Sequence, residues 1–414
     1  MARGPCRQPA QQRAAVRSLS LRRIAFFTST RAEYGLLRPL MVEVTSRPEL
    51  TLQIIVSGTH LSEAHGATWR EIVADGFTID ARVEMTVSTD AAEGVASSAA
   101  QVLSGVAIAL LQLKPDVLVL LGDRYELLAA AQAAVLARVP IAHLHGGEAT
   151  EGAIDECIRH AVTKLSHWHF AAAEPYAERI RQMGEAPARV WNVGAPAMDN
   201  IAALDPVPKE ALETFLGLTL RDPAFLVTYH PVTLEDDGGL AAMQSLLAAL
   251  DTCAGSVVIT GANADPGANA IRASLQAFTD ERPDRVVLVE SLGARRYLSL
   301  MRHVDAVVGN SSSGLLEAPA VGVPTVDIGP RQQGRLRAPS VVHCGESAAE
   351  IRQALETALS ADHRAIAARR ESPYGRPGAA RRIVDLLASV DLAARSKPFV
   401  DRRCVADACP KSDR

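Results

Sequence analysis

The 414-residue chain is 48% hydrophobic and 22% charged, and 43 Lys and Arg against 47 Asp and Glu leave a net charge of −4. That balance offers no basic field to recruit nucleic acid, and 4% aromatics are too few for a base-stacking platform. No uninterrupted apolar stretch approaches the ~20 residues of a membrane helix, so no membrane partner is expected and the composition is that of a soluble α/β enzyme of two or three domains.

Residues 1–21 are expected to be a disordered basic extension: Arg3, Arg7, Arg13 and Arg17 precede any acid, the first of which is Glu33. From residue 22, short apolar runs alternate with helical patterns. The runs 24–30, 52–58, 117–123, 141–147, 167–173 and 190–196 each read as a buried strand ending in small or polar residues. Such strands, spaced by amphipathic segments, specify a parallel sheet covered on both faces by helices. Asp205-Pro206-Val207-Pro208 breaks the rhythm and marks a linker. Runs at 224–230, 256–262, 285–291, 305–311 and 324–330 then restart it.

The expected organisation is therefore two Rossmann-like, doubly wound domains, at 22–205 and 206–375. A C-terminal helix at 376–392 is placed to pack back on the first domain, and 393–414 is expected to be a disordered tail. Ligands of doubly wound sheets collect at the carboxyl ends of the strands, so one cleft between the domains is expected. The six cysteines (Cys6, Cys157, Cys253, Cys344, Cys404 and Cys409) form no C-x-x-C pair, which fits a reducing, cytoplasmic setting.

Polar residues at the strand ends become the candidates for chemistry. Asp123, in Gly122-Asp123-Arg124, either enters the cleft as a proton-transfer carboxylate or caps the helix that follows. His143-x-His145-Gly146-Gly147-Glu148 is followed by Asp155, Glu156, Arg159 and His160. The two histidines share a strand face at a spacing metals use, but no third ligand is identifiable. Asp155 with Arg159, and Glu156 with His160, stand one helical turn apart, as in ordinary surface pairs; the density of titratable groups favours a site. His230, in Thr228-Tyr229-His230-Pro231-Val232-Thr233, either donates to an anion or ends the strand. Gly309-Asn310-Ser311-Ser312-Ser313-Gly314 opens a helix with hydroxyls and free amides, an anion site without a lysine; Glu317 lies one turn further in. The stretch from Gly329 to Arg335 adds cationic donors after the next strand, Arg31 turns out of the first strand, and His60 ends the second.

Together T-x-T-R-A-E-Y-G, G-D-R-Y-E, H-x-H-G-G-E-x-T-E-G-A-I-D-E-x-I-R-H, H-P-V-T and G-N-S-S-S-G, in that order from about Arg23 to Leu387, resemble the hydrolysing UDP-N-acetylglucosamine 2-epimerases. The resemblance implies a glycosyltransferase-B-like fold and hydrolysis of UDP-N-acetylglucosamine to N-acetylmannosamine and UDP, an early step toward sialic acids. The chemistry it implies is anti elimination to a 2-acetamidoglucal followed by syn hydration. It assigns Asp123 and Asp155 as catalytic carboxylates. Arg31, His230, Ser312 and Ser313 would hold the phosphates and Glu317 the ribose, with His60, Arg124, Arg159, Asn310 and Gly314 completing the substrate site. Some relatives carry a catalytic Glu where this chain has His145, which leaves the third acid/base role to His145 or Glu148. The H-x-H-G-G-E form also resembles branches acting on UDP- or GDP-linked 2,4-diacetamido-2,4,6-trideoxyglucose, on the way to legionaminic acid. UDP-N-acetylglucosamine is the substrate expected first, with a non-hydrolysing epimerase and a catalytically silent nucleotide-sugar-binding regulator as rivals. No metal or redox cofactor is implied, and a homodimer or homotetramer is.

Overall fold

The structure is a computed structural model that describes residues 21–401 apart from 87–91, 152, 233–236, 262–267 and 394. The extension up to residue 20, the chain beyond 401, Gly152 and Thr233 lie outside the described residues, as do Cys6, Cys404 and Cys409.

Thirteen strands are described. β1 (Arg22–Thr28), β2 (Leu50–Val56), β3 (Ala81–Arg82), β4 (Val117–Leu121), β5 (Ile141–Leu144), β6 (Trp168–Ala171) and β7 (Val190–Asn192) form one parallel sheet in the order β3-β2-β1-β4-β5-β6-β7. β8 (Phe225–Thr228), β9 (Val257–Thr260), β10 (Val286–Val289), β11 (Ala306–Gly309), β12 (Thr325–Ile328) and β13 (Val341–Cys344) form a second, in the order β10-β9-β8-β11-β12-β13. Successive side chains of a strand point to opposite faces, and the cores follow that period. Ile24 and Phe26 of β1 enter one cluster, while Ala25 and Phe27 enter another across the sheet. In β8, Phe225 and Val227 face one cluster and Leu226 faces the other. Burial on both faces is why these strands read as unbroken apolar runs.

Winding reverses between β1 and β4 in the first sheet and between β8 and β11 in the second. The loops leaving these four strands meet across the cleft, giving a glycosyltransferase-B-like arrangement of two doubly wound domains. β1 and β2 are as long as their runs but start two residues earlier, whereas the other strands are shorter than theirs: β4 ends at Leu121, and Gly122 and Asp123 of its run line the cleft. β3 and β13 had no comparable signal: one has two residues, and the other is a half-exposed edge.

Three further features depart from composition alone. The 22-residue helix Ala92–Leu113 is long and apolar enough to cross a membrane. It nevertheless lies on the first sheet, burying Val102, Val106, Ala109 and Leu110, so the ~20-residue criterion misses it only because serines and Gln101 interrupt the run. The helix Ala379–Ser389 returns to the first domain, where Ile383, Val384 and Leu387 join Leu37, Leu40 and Met41. Both its ends are tied: Asp199 accepts from Ala380 N (2.7 Å), and Arg22 Nη1 donates to Leu387 O (3.0 Å) and Val390 O (2.7 Å). Finally, residues 395–401 do not belong to a free tail. Val400 N donates to Gly184 O (2.9 Å), and Lys397 Nζ lies 3.0 Å from Glu185, a buried carboxylate also paired with Lys164 and His169. A buried acid held by two lysines and a histidine anchors this segment, which its polar composition conceals.

Candidate active site

Backbone geometry at the strand ends builds the site. Thr30 caps the helix Arg31–Thr45 in a capping box, its Oγ1 accepting from Glu33 N (3.3 Å) while Glu33 Oε2 accepts from Thr30 N (3.3 Å) and also from Ser29 N (2.8 Å). This turn directs Arg31 into the cleft. At the end of β4, Gly122 takes φ +95° and releases Asp123. Arg124, not Asp123, is the N-cap of the helix Tyr125–Leu136, so the capping reading of Asp123 gives way to the cleft reading. After β5, His145 itself adopts φ +63°, a conformation that costs a non-glycine residue about 1–2 kcal/mol. Gly147 follows at φ +74°, where a Cβ would stand 2.3 Å from Tyr176 O, so only glycine fits.

A cavity of about 340 Å³ opens between the sheets, within the range of small-ligand sites. Arg31, Asp123, Arg124, His145, Glu148, Asp155, His230, Ser312, Ser313 and Glu317 all line it. On the first-domain wall, His145 Nδ1 lies 2.5 Å from Glu148 Oε1, while the buried His145 Nε2 has no hydrogen-bond partner among the described residues. Glu148 thus orients the ring and leaves the second nitrogen for a ligand. Burial opposes the Glu148 charge, but His145 and Arg335 hold its carboxyl below the usual range. Arg159 Nη2 pairs with Asp123 and with Thr150, and Arg335 Nη2 lies 3.8 Å from Asp123 and 3.2 Å from Glu148. Burial again opposes ionisation of Asp123; the two guanidiniums overcome it and pull the carboxyl down to about 2.

Arg335 comes from the second domain, on the loop between β12 and β13. That loop is docked by Gln333 O accepting from Glu151 N (3.1 Å) and by Tyr176 Oη accepting from Leu336 N (2.9 Å). The second-domain wall is mostly neutral. Asn310 clamps the His230 backbone, accepting from His230 N (2.7 Å) and donating to His230 O (2.8 Å). Ser312 and Ser313 stand at the N-terminus of the helix Ser313–Val321, and Tyr297 Oη is 2.5 Å from Ser313 Oγ. Burial pushes Glu317 up to about 7.

Four residues expected in the site stand behind its walls. His60 is wholly buried, with Nε2 3.0 Å from Thr28 Oγ1 and Nδ1 2.7 Å from Thr68 Oγ1, and burial pushes it down to about 3. Arg159 is buried and holds Asp123 rather than facing the cavity. Asn310 braces His230, and Gly314 lets its helix approach β12, where a Cβ would stand 2.7 Å from Thr325 Cγ2. His143 spends both ring nitrogens on Gly122 O (2.8 Å) and Thr163 Oγ1 (3.2 Å), which turns it away from His145. Glu156 pairs with Arg159 (2.7 Å) and His160 (2.9 Å) and accepts from Thr150 N, a brace for the loop before Asp155. Sequence reasoning did not single out Glu33, Tyr297, Thr260, Glu290 or Gln332, which also line the cavity. Glu33 carried a readable signal, the T-x-x-E capping box; the others carried none locally.

A sequence profile described as UDP-N-acetylglucosamine 2-epimerase matches residues 42–388. The chain belongs to this family. It is 39% identical over 325 residues to the GDP/UDP-N,N'-diacetylbacillosamine 2-epimerase (hydrolyzing) of Campylobacter jejuni, covering 78% of this chain and 84% of that one. It is 34% identical over 340 residues to the UDP-N,N'-diacetylbacillosamine 2-epimerase (hydrolyzing) of Legionella pneumophila, covering 82% and 89%. To the UDP-N-acetylglucosamine 2-epimerase of Neisseria meningitidis it is 30% identical over 340 residues, covering 82% and 88%. Among solved structures, UDP-GlcNAc 2-epimerase from Neisseria meningitidis bound to UDP-GlcNAc matches with a TM-score of 0.76 at 19% identity, over 89% of this chain and 100% of that one. This epimerase-family chain therefore has the family's fold.

Proposed function

We propose that the protein is a hydrolysing 2-epimerase of nucleotide-linked N,N'-diacetylbacillosamine, the 2,4-diacetamido-2,4,6-trideoxy sugar. The relatives at 39% and 34% identity carry that activity in their names, which favours this branch over the UDP-N-acetylglucosamine expected first from the motifs. The observation that carries the reading is the His145–Glu148 dyad, whose second ring nitrogen is unpartnered in the cavity that Asp123 also lines.

In this reading His145 Nε2 takes the C2 proton as the C1–O bond to the diphosphate breaks, leaving a glycal and the free nucleotide. Glu148 stabilises the imidazolium that results. Asp123, kept ionised by Arg159 and Arg335, favours positive charge developing at C1. The departing diphosphate is met by Arg31, His230, Ser312, Ser313 and the helix amides behind them. Hydration then adds water oxygen to C1 and a proton to C2, with Asp155 as the second carboxylate, so substrate plus water gives the free 2-epimer and the nucleoside diphosphate. A homo-oligomer is part of the proposal, and sedimentation of the full chain tests it.

A product assay over UDP- and GDP-linked 2-acetamido and 2,4-diacetamido sugars tests the reading. Free diacetamido sugar, deuterated at C2 after reaction in deuterated water, is expected. A nucleotide-linked product excludes hydrolysis, and unlabelled C2 excludes elimination. The Neisseria relative favours one alternative substrate, UDP-N-acetylglucosamine, which faster turnover in the same panel would select.

A further inference from the structure

Gln332 ends the short turn Pro330–Gln332 after β12, is fully buried, and lines the cavity. Its Nε2 donates to Asn310 O (2.8 Å). A carbonyl only accepts, so this contact fixes which end of the amide faces it; reversing the amide would oppose two oxygens. The other end, Oε1, is buried and has no hydrogen-bond partner among the described residues. Buried polar atoms are almost always paired, and an orphan on a cavity wall awaits a donor from the cavity's occupant.

The chemistry of that donor is restricted. Phosphate oxygens are acceptors and are repelled by Oε1, so the diphosphate is not its partner. Of the cations that line the cavity, Arg31 and Arg124 come from other loops, while Arg331 and Arg335 share the Gln332 loop but are directed elsewhere, Arg331 Nη1 to Asn310 O (3.2 Å) and Arg335 Nη2 to Asp123 and Glu148. A neutral donor on the sugar remains. A hydroxyl can rotate toward several acceptors, whereas an acetamide N–H points one way and accepts nothing, so a desolvated acetamido sugar needs an acceptor in a fixed place.

We propose that Gln332 is a specificity-determining residue whose Oε1 accepts the N–H of an acetamido substituent of the sugar. This deepens the reading of the cleft as a nucleotide–amino-sugar site and rests on it. The hydrogen bond to Asn310, which also clamps His230, holds the acceptor in place before the ligand arrives.

The test is calorimetric titration of the full chain with UDP, with UDP-linked 2-acetamido and 2,4-diacetamido sugars, and with counterparts in which one acetamide N–H at a time is replaced by an ester oxygen. The wild type is expected to lose about tenfold or more in affinity at one of the two positions, since a buried acceptor is then left unpaired. Gln332→Leu and Gln332→Met are expected to bind amide and ester within about twofold of each other, with affinity for UDP alone unchanged. A wild type indifferent to the ester overturns the proposal without any variant. A folded variant that keeps the amide preference, or that loses affinity equally for UDP, also overturns it. Because the readout is binding, absent turnover with an intact amide preference breaks the hydrolysis reading and leaves Gln332 assigned.

Discussion

Asp123 and Glu148 on one wall of the cleft and Glu317 on the other are handled in opposite ways, while Glu33 of the first wall is pushed by burial up to about 7. On the first-domain wall, the partly buried Asp123 and the buried Glu148 are held ionised, because Arg159 and Arg335 sit against them. On the second-domain wall, Glu317 meets no such charge and rises to about 7, among hydroxyls, amides and Tyr297. Burial disfavours charge on both sides; what differs is whether a guanidinium is built in. In the proposed reading, the first wall supplies transition-state electrostatics and the second holds the nucleotide.

The largest effect is expected where the paired wall is broken. Asp123→Asn should reduce product release by about 1,000-fold or more while UDP binding stays within a few-fold, since it touches only the charged wall. Near-normal turnover would dissolve the contrast. Next, His145→Gln should cost about 100-fold in kcat with UDP affinity little changed. Glu148→Gln should lower kcat less, because it orients the base rather than serving as one. A larger loss in Glu148→Gln than in His145→Gln would transfer the role to Glu148.

A smaller effect is expected on the neutral wall. Replacing Ser312 and Ser313 together by Ala should weaken UDP about tenfold with little change in kcat, the reverse of the Asp123 pattern. Equal losses in kcat and affinity would merge the two walls into one unit.

The smallest effect concerns stability against pH. Glu317 moves from an ordinary 4.5 to about 7 on folding, so the folded chain keeps a proton that the unfolded chain releases. Its contribution is complete below about 4.5 and is lost as pH rises through about 7. Glu317→Gln should therefore raise Tm by a few degrees at pH 8 relative to wild type and change it little at pH 4.5. Asp123 runs the other way, its contribution present above the unfolded value of 3.8 and lost as pH falls through about 2. A Tm difference for Glu317→Gln that does not change with pH would show that the carboxyl is solvated.

Local pattern carried much of the architecture. β4 (Val117–Leu121) and β9 (Val257–Thr260) read as apolar runs because both faces of their sheets are covered, and the prolines at 206 and 208 fall between the two sheets. The edge strands β3 and β13 were not legible, since an edge lacks the double burial that makes the pattern. His60 follows β2 much as Arg31 follows β1, and Arg159 shares a helix with Asp155, yet both face inward. Nothing in their neighbours' identity encodes which side of a wall a polar residue occupies.

By itself, then, the order of residues determined the two doubly wound domains, the strand ends that meet in the cleft, and the loops that bring Asp123, His145, His230 and Ser312 there, because each follows from short-range periodicity and backbone chemistry. Only the tertiary structure decided the state of those groups. Arg335 reaches Asp123 and Glu148 from the other domain, the segment 395–401 docks on Glu185 far along the chain, and Gln332 keeps an unpaired oxygen on the cavity wall. Charge, burial and hydrogen-bond satisfaction depend on what stands a few ångströms away in space, and the chain settles that only when the two domains close on each other.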